Sequence, residues 1–258
     1  MLDIHTTAVV HPKAELDSDV VIGPYSVIGA DVRIEAGTRL GAHVVVEGHT
    51  TIGRDNTILH GAVLGAPPQD LKFRGETTFL RIGNGNTIRE FATLNLATIA
   101  GETTSVGDRC LLMAYVHIAH NCRIGNDVIL ANAVNLAGHV DVQDHAIIGG
   151  LTPVHQFVRI GRHAIVGGGS RVPKDVPPFV TAAGNPLRLA GLNTVGLERR
   201  GFDDARLARL KQAYRILFRS DLTVAKALER LQAELGSGDD DVQTLVEFFE
   251  ASQRGVER

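Results

Sequence analysis

The chain has 258 residues, enough to bury the core of one large domain or of a large and a small one. A formal net charge of −3 gives no electrostatic case for nucleic acid as a partner, and no apolar run approaches the roughly 18 residues of a membrane-spanning helix. With no Trp, 5% aromatics and 28 Gly, the core has to be built from small and β-branched side chains. The two cysteines, Cys110 and Cys122, form no disulfide framework and have no metal-type spacing, which fits a reducing compartment. The N-terminus lacks a basic region followed by an apolar run, so a cytoplasmic location is expected.

From Ile4 to Val172 an Ile, Val or Leu recurs at every sixth position, and the register fails only at Asp70, Glu76 and Ala100. A small or β-branched residue stands four positions after each beat, as at Ala8, Val20, Ser26, Val116 and Cys122, and Gly often follows the beat directly. This is the hexapeptide signature of a parallel β-helix, in which three units close one triangular coil. A residue should therefore lie beside the one 18 positions on, roughly 4.8 Å away. Residues 65 to 79, with Pro67-Pro68 and a charged cluster, should leave the coil as a loop and rejoin it in phase.

The beat stops after Val172, and Pro173, Pro177, Pro178, Pro186, Gly184 and Gly191 predict an irregular connector. The division expected is a β-helix over 1–184 and an α-helical region over 185–258. Helical periodicity starts near Asp203 or Asp204, with Leu207, Leu210, Tyr214, Leu217 and Phe218 on one face. Thr223 should cap a second helix through Ala227, Leu231 and Leu235. After a Gly236-Ser237-Gly238 break, Val242, Leu245, Val246 and Phe249 suggest a third.

The chemistry concentrates between Met113 and Gln156. The 18-residue rule sets Gly138 beside His120, Gln156 one coil further, and His139 beside Asn121. A glycine next to an imidazole leaves space and a bare N–H, a seat for a reacting carbonyl with His120 as general base and Gly138 as oxyanion donor. His155 stacks over Ala137 and Ala119 and reads equally well as a packing residue. Cys122 reads as a small core residue.

The motifs G-H-T-T-I-G-R-D-N at 48–56, Q-D-L-K at 69–72, H-I-A-H-N-C at 117–122, L-A-G-H-V at 136–140, V-H-Q-F at 154–157, D-V-P-P-F at 175–179 and R-R-G-F at 199–202 resemble the bacterial UDP-N-acetylglucosamine 3-O-acyltransferases over essentially the whole length. The resemblance implies a left-handed coil, mainly β, with a small C-terminal helical domain. It implies a homotrimer with sites between subunits, acting in the cytoplasm. The reaction implied moves a (R)-3-hydroxyacyl chain from the phosphopantetheine of acyl carrier protein to the glucosamine 3-position of a UDP-sugar, the first step of lipid A synthesis. No metal and no further cofactor is implied.

By the same resemblance Asp70, Lys72, His117, His139 and Gln156 line the substrate site, Asn193, Arg199 and Arg200 serve the nucleotide end, and Gly168 keeps the acyl groove open. Adjacent arginines suit a diphosphate because guanidinium forks pair with phosphate oxygens. Asn95 stands where many relatives carry a sugar-facing histidine, and Val195 where many carry an acid; the first departure raises a 3-amino sugar as an alternative acceptor. Arg159, Arg162, Arg171 and Lys174 are candidates for docking the acidic carrier as a charge cluster, and read equally well as a solvated face. A zinc-dependent hydratase on hexapeptide coils and a non-catalytic scaffold are the distant alternatives.

Overall fold

The computed structural model describes residues 2–236 and 238–257. The hexads wind into a left-handed parallel β-helix whose three faces are parallel sheets of very short strands. Successive coils pair in the expected register, as in Asp3↔Val21, Val9↔Val27 and Glu15↔Arg33. Both the beat residue and the one four places later point inward: Val20, Ile22, Ile28, Val32 and Ile34 are at most 1% exposed. Cys122 is one of these inward residues, and its thiol is pushed up to about 12 by burial. In the first coil the beat residue Ile4 remains exposed.

Most corners turn through a residue in the left-handed region three places after the beat, such as Asn121 (φ 60°), Asp127 (55°) and His139 (61°). Asn, Asp and His tolerate this region better than most side chains. Polar ladders pin the register. Inside the prism the Asn56 and Asn86 side-chain oxygens accept the N–H groups of Asn86 and Cys110 at 2.9 and 2.7 Å. On one corner Asn84, Asp108, Asn126 and Asp144 each accept a backbone N–H from the preceding coil at 2.7–2.8 Å. These bonds satisfy donors that a strand ladder of two residues leaves over.

Two excursions break the 18-residue rule. His49 pairs with Phe79, so the loop between Ala66 and Phe79 adds twelve residues, close to the bounds read from the sequence. Phe79 then pairs with Thr103, an offset of 24 that places six further residues outside the coil after Asn95. The lost beat at Ala100 belongs to this second excursion, which the hexad count passed over as a single irregular unit.

The proline-rich stretch is more ordered than expected of an irregular connector. Val180–Ala183 adds a parallel strand beside Ile165–Val166, and Arg188–Leu192 pairs antiparallel with it. Four helices follow among the described residues: α1 (Thr194–Arg199), α2 (Asp204–Phe218), α3 (Val224–Leu235) and α4 (Asp240–Glu250). The last three match the periodicity, and the Asp203 and Thr223 side chains cap α2 and α3 by accepting the N–H groups of Arg206 and Lys226. Ser237, in the break before α4, lies outside the described residues. The short α1 was not anticipated; Asn193 caps it. None of the described helices is long and apolar enough to cross a membrane.

The helices form their own core around Phe179, Leu197, Phe202, Leu210, Leu231 and Leu245. After α4 the chain returns to the coil, where buried Asp175 accepts the Ser252 hydroxyl at 2.7 Å and the Arg159 N–H at 2.8 Å. Arg159, counted with the exposed basic cluster in the sequence, instead lies in this junction, its guanidinium 4.5 Å over the Phe248 ring and 3.6 Å from Asp141.

Candidate active site

Strand His117–Ile118 runs into a corner that is repeated one and two coils later. The position two after the beat gives one column, His120, Gly138 and Gln156. The next position gives a second, Asn121, His139 and Phe157. Backbone bonds lock the columns: the His139 N–H donates to the His120 carbonyl at 3.0 Å and the Phe157 N–H to the Gly138 carbonyl at 3.1 Å.

A Cβ on Gly138 would stand 2.5 Å from Nε2 and 2.4 Å from Cε1 of His120, so the imidazole occupies the volume a side chain would need. Among the described residues the Gly138 N–H has no hydrogen-bond partner. The His120 ring meets the His139 ring edge-on at 5.2 Å, and His139 stacks on Phe157 at 4.6 Å.

Asn121, almost buried, is the hub behind His120. Its Oδ1 lies 2.9 Å from His120 Nδ1 and accepts the Thr98 N–H at 3.1 Å and the Thr98 hydroxyl at 2.9 Å. Its amide nitrogen donates to the Glu102 carboxylate, and its backbone N–H to the Thr104 hydroxyl at 2.8 Å. Thr98 and Glu102 both belong to the second excursion. Neither Thr98 nor Glu102 was given a role from the sequence, where the missing beat at Ala100 was the available signal.

His117, on the adjacent face, has Nδ1 2.7 Å from the Thr93 hydroxyl. Burial and then the neighbouring His120 hold its pKa below the ordinary value. His139 is likewise held down, first by burial and then by His120, with Glu102 and Asp70 acting in the opposite sense. Asp70 reaches this neighbourhood from the first excursion, its carboxylate accepting the Lys72 N–H at 2.9 Å. A groove of about 630 Å³ opens beside the columns, lined by Glu102, Asn121, Arg123, His139, Asp141 and Phe157, with Ala251 and Gln253 of the C-terminal tail on its far side.

The other expected residues make contacts of their own. Asn95 is 3% exposed, and its amide nitrogen holds the root of the first excursion through the carbonyls of Ala66 (3.3 Å) and Pro67 (3.2 Å); its side-chain oxygen is buried without a partner. Asn193 donates to the His163 carbonyl at 2.9 Å while capping α1. Arg199 and Arg200 are exposed at the end of α1, and the Arg200 charge acts on Asp127, His145 and His163, which belong to a different corner from His120. Half-buried between Phe179, Phe202 and His145, His163 has its pKa pushed down to about 4, first by that burial. Gly168 is exposed on the third corner, where a Cβ would approach the Gly150 carbonyl oxygen to 3.1 Å. Among the described residues no group of three or more His, Cys, Asp or Glu is placed to hold a metal ion.

Residues 175–257 match the family described as UDP N-acetylglucosamine O-acyltransferase, domain 2, and residues 103–138 match the bacterial transferase hexapeptide family. A relative from Paracidovorax citrulli, an acyl-(acyl-carrier-protein)--UDP-N-acetylglucosamine O-acyltransferase, is 55% identical over 262 residues covering all of both chains. A protein of the same name from Thermodesulfovibrio yellowstonii is 52% identical over 257 residues, 99% of each chain. The crystal structure of the Francisella novicida UDP-N-acetylglucosamine acyltransferase superposes with a TM-score of 0.96 at 38% identity, covering 99% of this chain and 94% of that one. With likeness of this degree along the whole coil and the helices after it, the chain belongs to the UDP-N-acetylglucosamine O-acyltransferase family.

Proposed function

We propose that this protein transfers a (R)-3-hydroxyacyl group from acyl carrier protein to the 3-hydroxyl of UDP-N-acetylglucosamine, the opening step of lipid A synthesis. The observation that carries this reading is the apposition of His120 Nε2 and the unpartnered Gly138 N–H across the space a side chain would fill. His120 takes the proton of the attacking hydroxyl as its oxygen adds to the thioester carbonyl, a role worth about 10²–10⁴-fold in rate. The Gly138 N–H donates to the oxyanion of the tetrahedral intermediate. Collapse expels the phosphopantetheine thiolate, which recovers the proton from the imidazolium, leaving an ester and a free carrier thiol. The only prosthetic arm this requires is the carrier's own.

His117 and His139, held below their ordinary pKa, remain neutral beside His120 at pH 7 and do not oppose its protonation. Asp70, Lys72, His117, His139 and Gln156 bind the acceptor around that seat. Asn95 acts on it at one remove, by fixing the root of the loop that carries Asp70 and Lys72. Arg199 and Arg200 grip the diphosphate in the site of a neighbouring copy of a homotrimer, with α1 set by Asn193. Gly168 leaves room for the acyl chain at the third corner. In this division the coil of residues 1–184 carries the chemistry, and residues 185–258 supply the nucleotide end. A cytoplasmic enzyme follows from the carrier and the nucleotide sugar.

The test is a mass-spectrometric assay with a series of 3-hydroxyacyl carrier proteins and UDP-N-acetylglucosamine, run beside its 3-amino analogue. The expected product is the acylated hydroxyl sugar, with a loss of about 100-fold or more in His120→Ala. Product from the 3-amino sugar alone would reassign the acceptor. No product from either, or undiminished turnover in His120→Ala, would overturn the reading.

A further inference from the structure

The second excursion swings over the corner that holds His120 and brings two groups to the Asn121 side chain. A backbone N–H can only donate, so the atom facing Thr98 N at 3.1 Å is the amide oxygen. The amide NH₂ is thereby left to the Glu102 carboxylate, which can only accept. His120 Nδ1, 2.9 Å from the same amide oxygen, must therefore carry hydrogen. Nε2, the nitrogen turned toward Gly138, keeps its lone pair. A carboxylate bonded to one end of an amide polarises it and builds negative charge on the oxygen at the other end, and that charge favours an imidazolium over a neutral ring.

We propose that Glu102 is a positioning residue for acyl transfer, acting through the Asn121 amide to hold His120 in its base-competent tautomer and to stabilise the imidazolium formed during the reaction. The inference rests on the reading of His120 as general base. Asp70 and Asp141 are the other carboxylates in this neighbourhood, but the Asp70 hydrogen bond is spent on the Lys72 N–H of its own loop and Asp141 lies 3.6 Å from Arg159, and His117 is bonded to Thr93 and His139 stacked on Phe157. Glu102 is the carboxylate in hydrogen-bond contact with the hub. A purely structural Glu102 would serve only to close the excursion, and it would then leave kcat unaffected as long as the fold persists.

The experiment compares Glu102→Ala, Asn121→Asp, the double variant Asn121→Asp/Glu102→Gln and His120→Ala, with steady-state kinetics for both substrates and thermal melting of each. Glu102→Ala should lower kcat by about tenfold to a hundredfold with both KM values within about twofold, because the lost contact is a charge-assisted hydrogen bond behind the base. Asn121→Asp sets two carboxylates against each other and should also lose turnover. In the double variant the amide introduced at position 102 donates to the carboxylate introduced at position 121. The polarity of the bridge is then reversed, and kcat should return to within about threefold of native, a non-additivity that independent sites do not give. Native kcat in Glu102→Ala with an inactive His120→Ala would overturn the relay alone, as would a double variant no better than Asn121→Asp. An active His120→Ala would instead remove the general base on which the relay depends.

Discussion

Gly138 is the residue at which packing and chemistry separate most cleanly. Its φ is outside the left-handed region, so Ala costs no backbone strain there, yet the added Cβ must displace the His120 ring from 2.5 Å. Gly138→Ala is expected to melt within a few degrees of native while kcat falls about 100-fold or more, the scale of displacing the general base, since alanine keeps the backbone N–H. Native turnover from a folded Gly138→Ala would take the glycine out of the reacting seat. His120, Gly138 and Gln156 were legible in the sequence because they sit on unbroken coils, where 18-residue arithmetic converts position into contact. The Asn121–Glu102 contact was not, since Glu102 stands in an excursion where that arithmetic stops. The hydrogen bonds of Asn95 to the root of the first excursion were not legible for a related reason, since they depend on where the chain leaving at Ala66 runs.

At the level of elements, local signals were readable and tertiary ones were not. Asp203 and Thr223 announced α2 and α3 because a cap acts within one turn. The hairpin of Val180–Ala183 and Arg188–Leu192 is held by pairing onto the last coil, a partner that proline-rich composition does not reveal. The first excursion offers a direct test of scaffold against function. Excising residues 67–78 joins Ala66 to Phe79 and restores the 18-residue offset, so the coil should close in register. The shortened protein is expected to keep its far-UV spectrum and to melt within about 5 °C of native, since loop length is a weak term in stability. Its kcat/KM should drop about 100-fold because Asp70 and Lys72 leave with the loop. Retained activity would show that the loop residues do not touch substrate.

Across the whole molecule, the expected site residues fall on separate corners of the prism: His120 and Gly138 on one, Arg200 with Asp127, His145 and His163 on another. The remaining corner is a ridge of Tyr25, Phe91, Tyr115 and Leu151, 59, 45, 62 and 73% exposed, too apolar to be left to solvent. The proposed homotrimer would account for both facts at once, since a heterologous interface would cover the ridge and bring one chain's arginines to the next chain's histidine. Two inactive variants should then complement each other. A His120→Ala chain keeps its arginines, an Arg199→Ala/Arg200→Ala chain keeps its base, and in trimers formed by co-expression one half times one half, about one quarter of the sites, receive both intact groups. Co-expressed chains should regain about that fraction of native turnover, while the same two proteins purified apart and mixed without subunit exchange should remain inactive. Co-expressed trimers with no recovery would mean that each site draws its base and its arginines from one chain, and the separation of corners would then need a large movement of α1 toward His120.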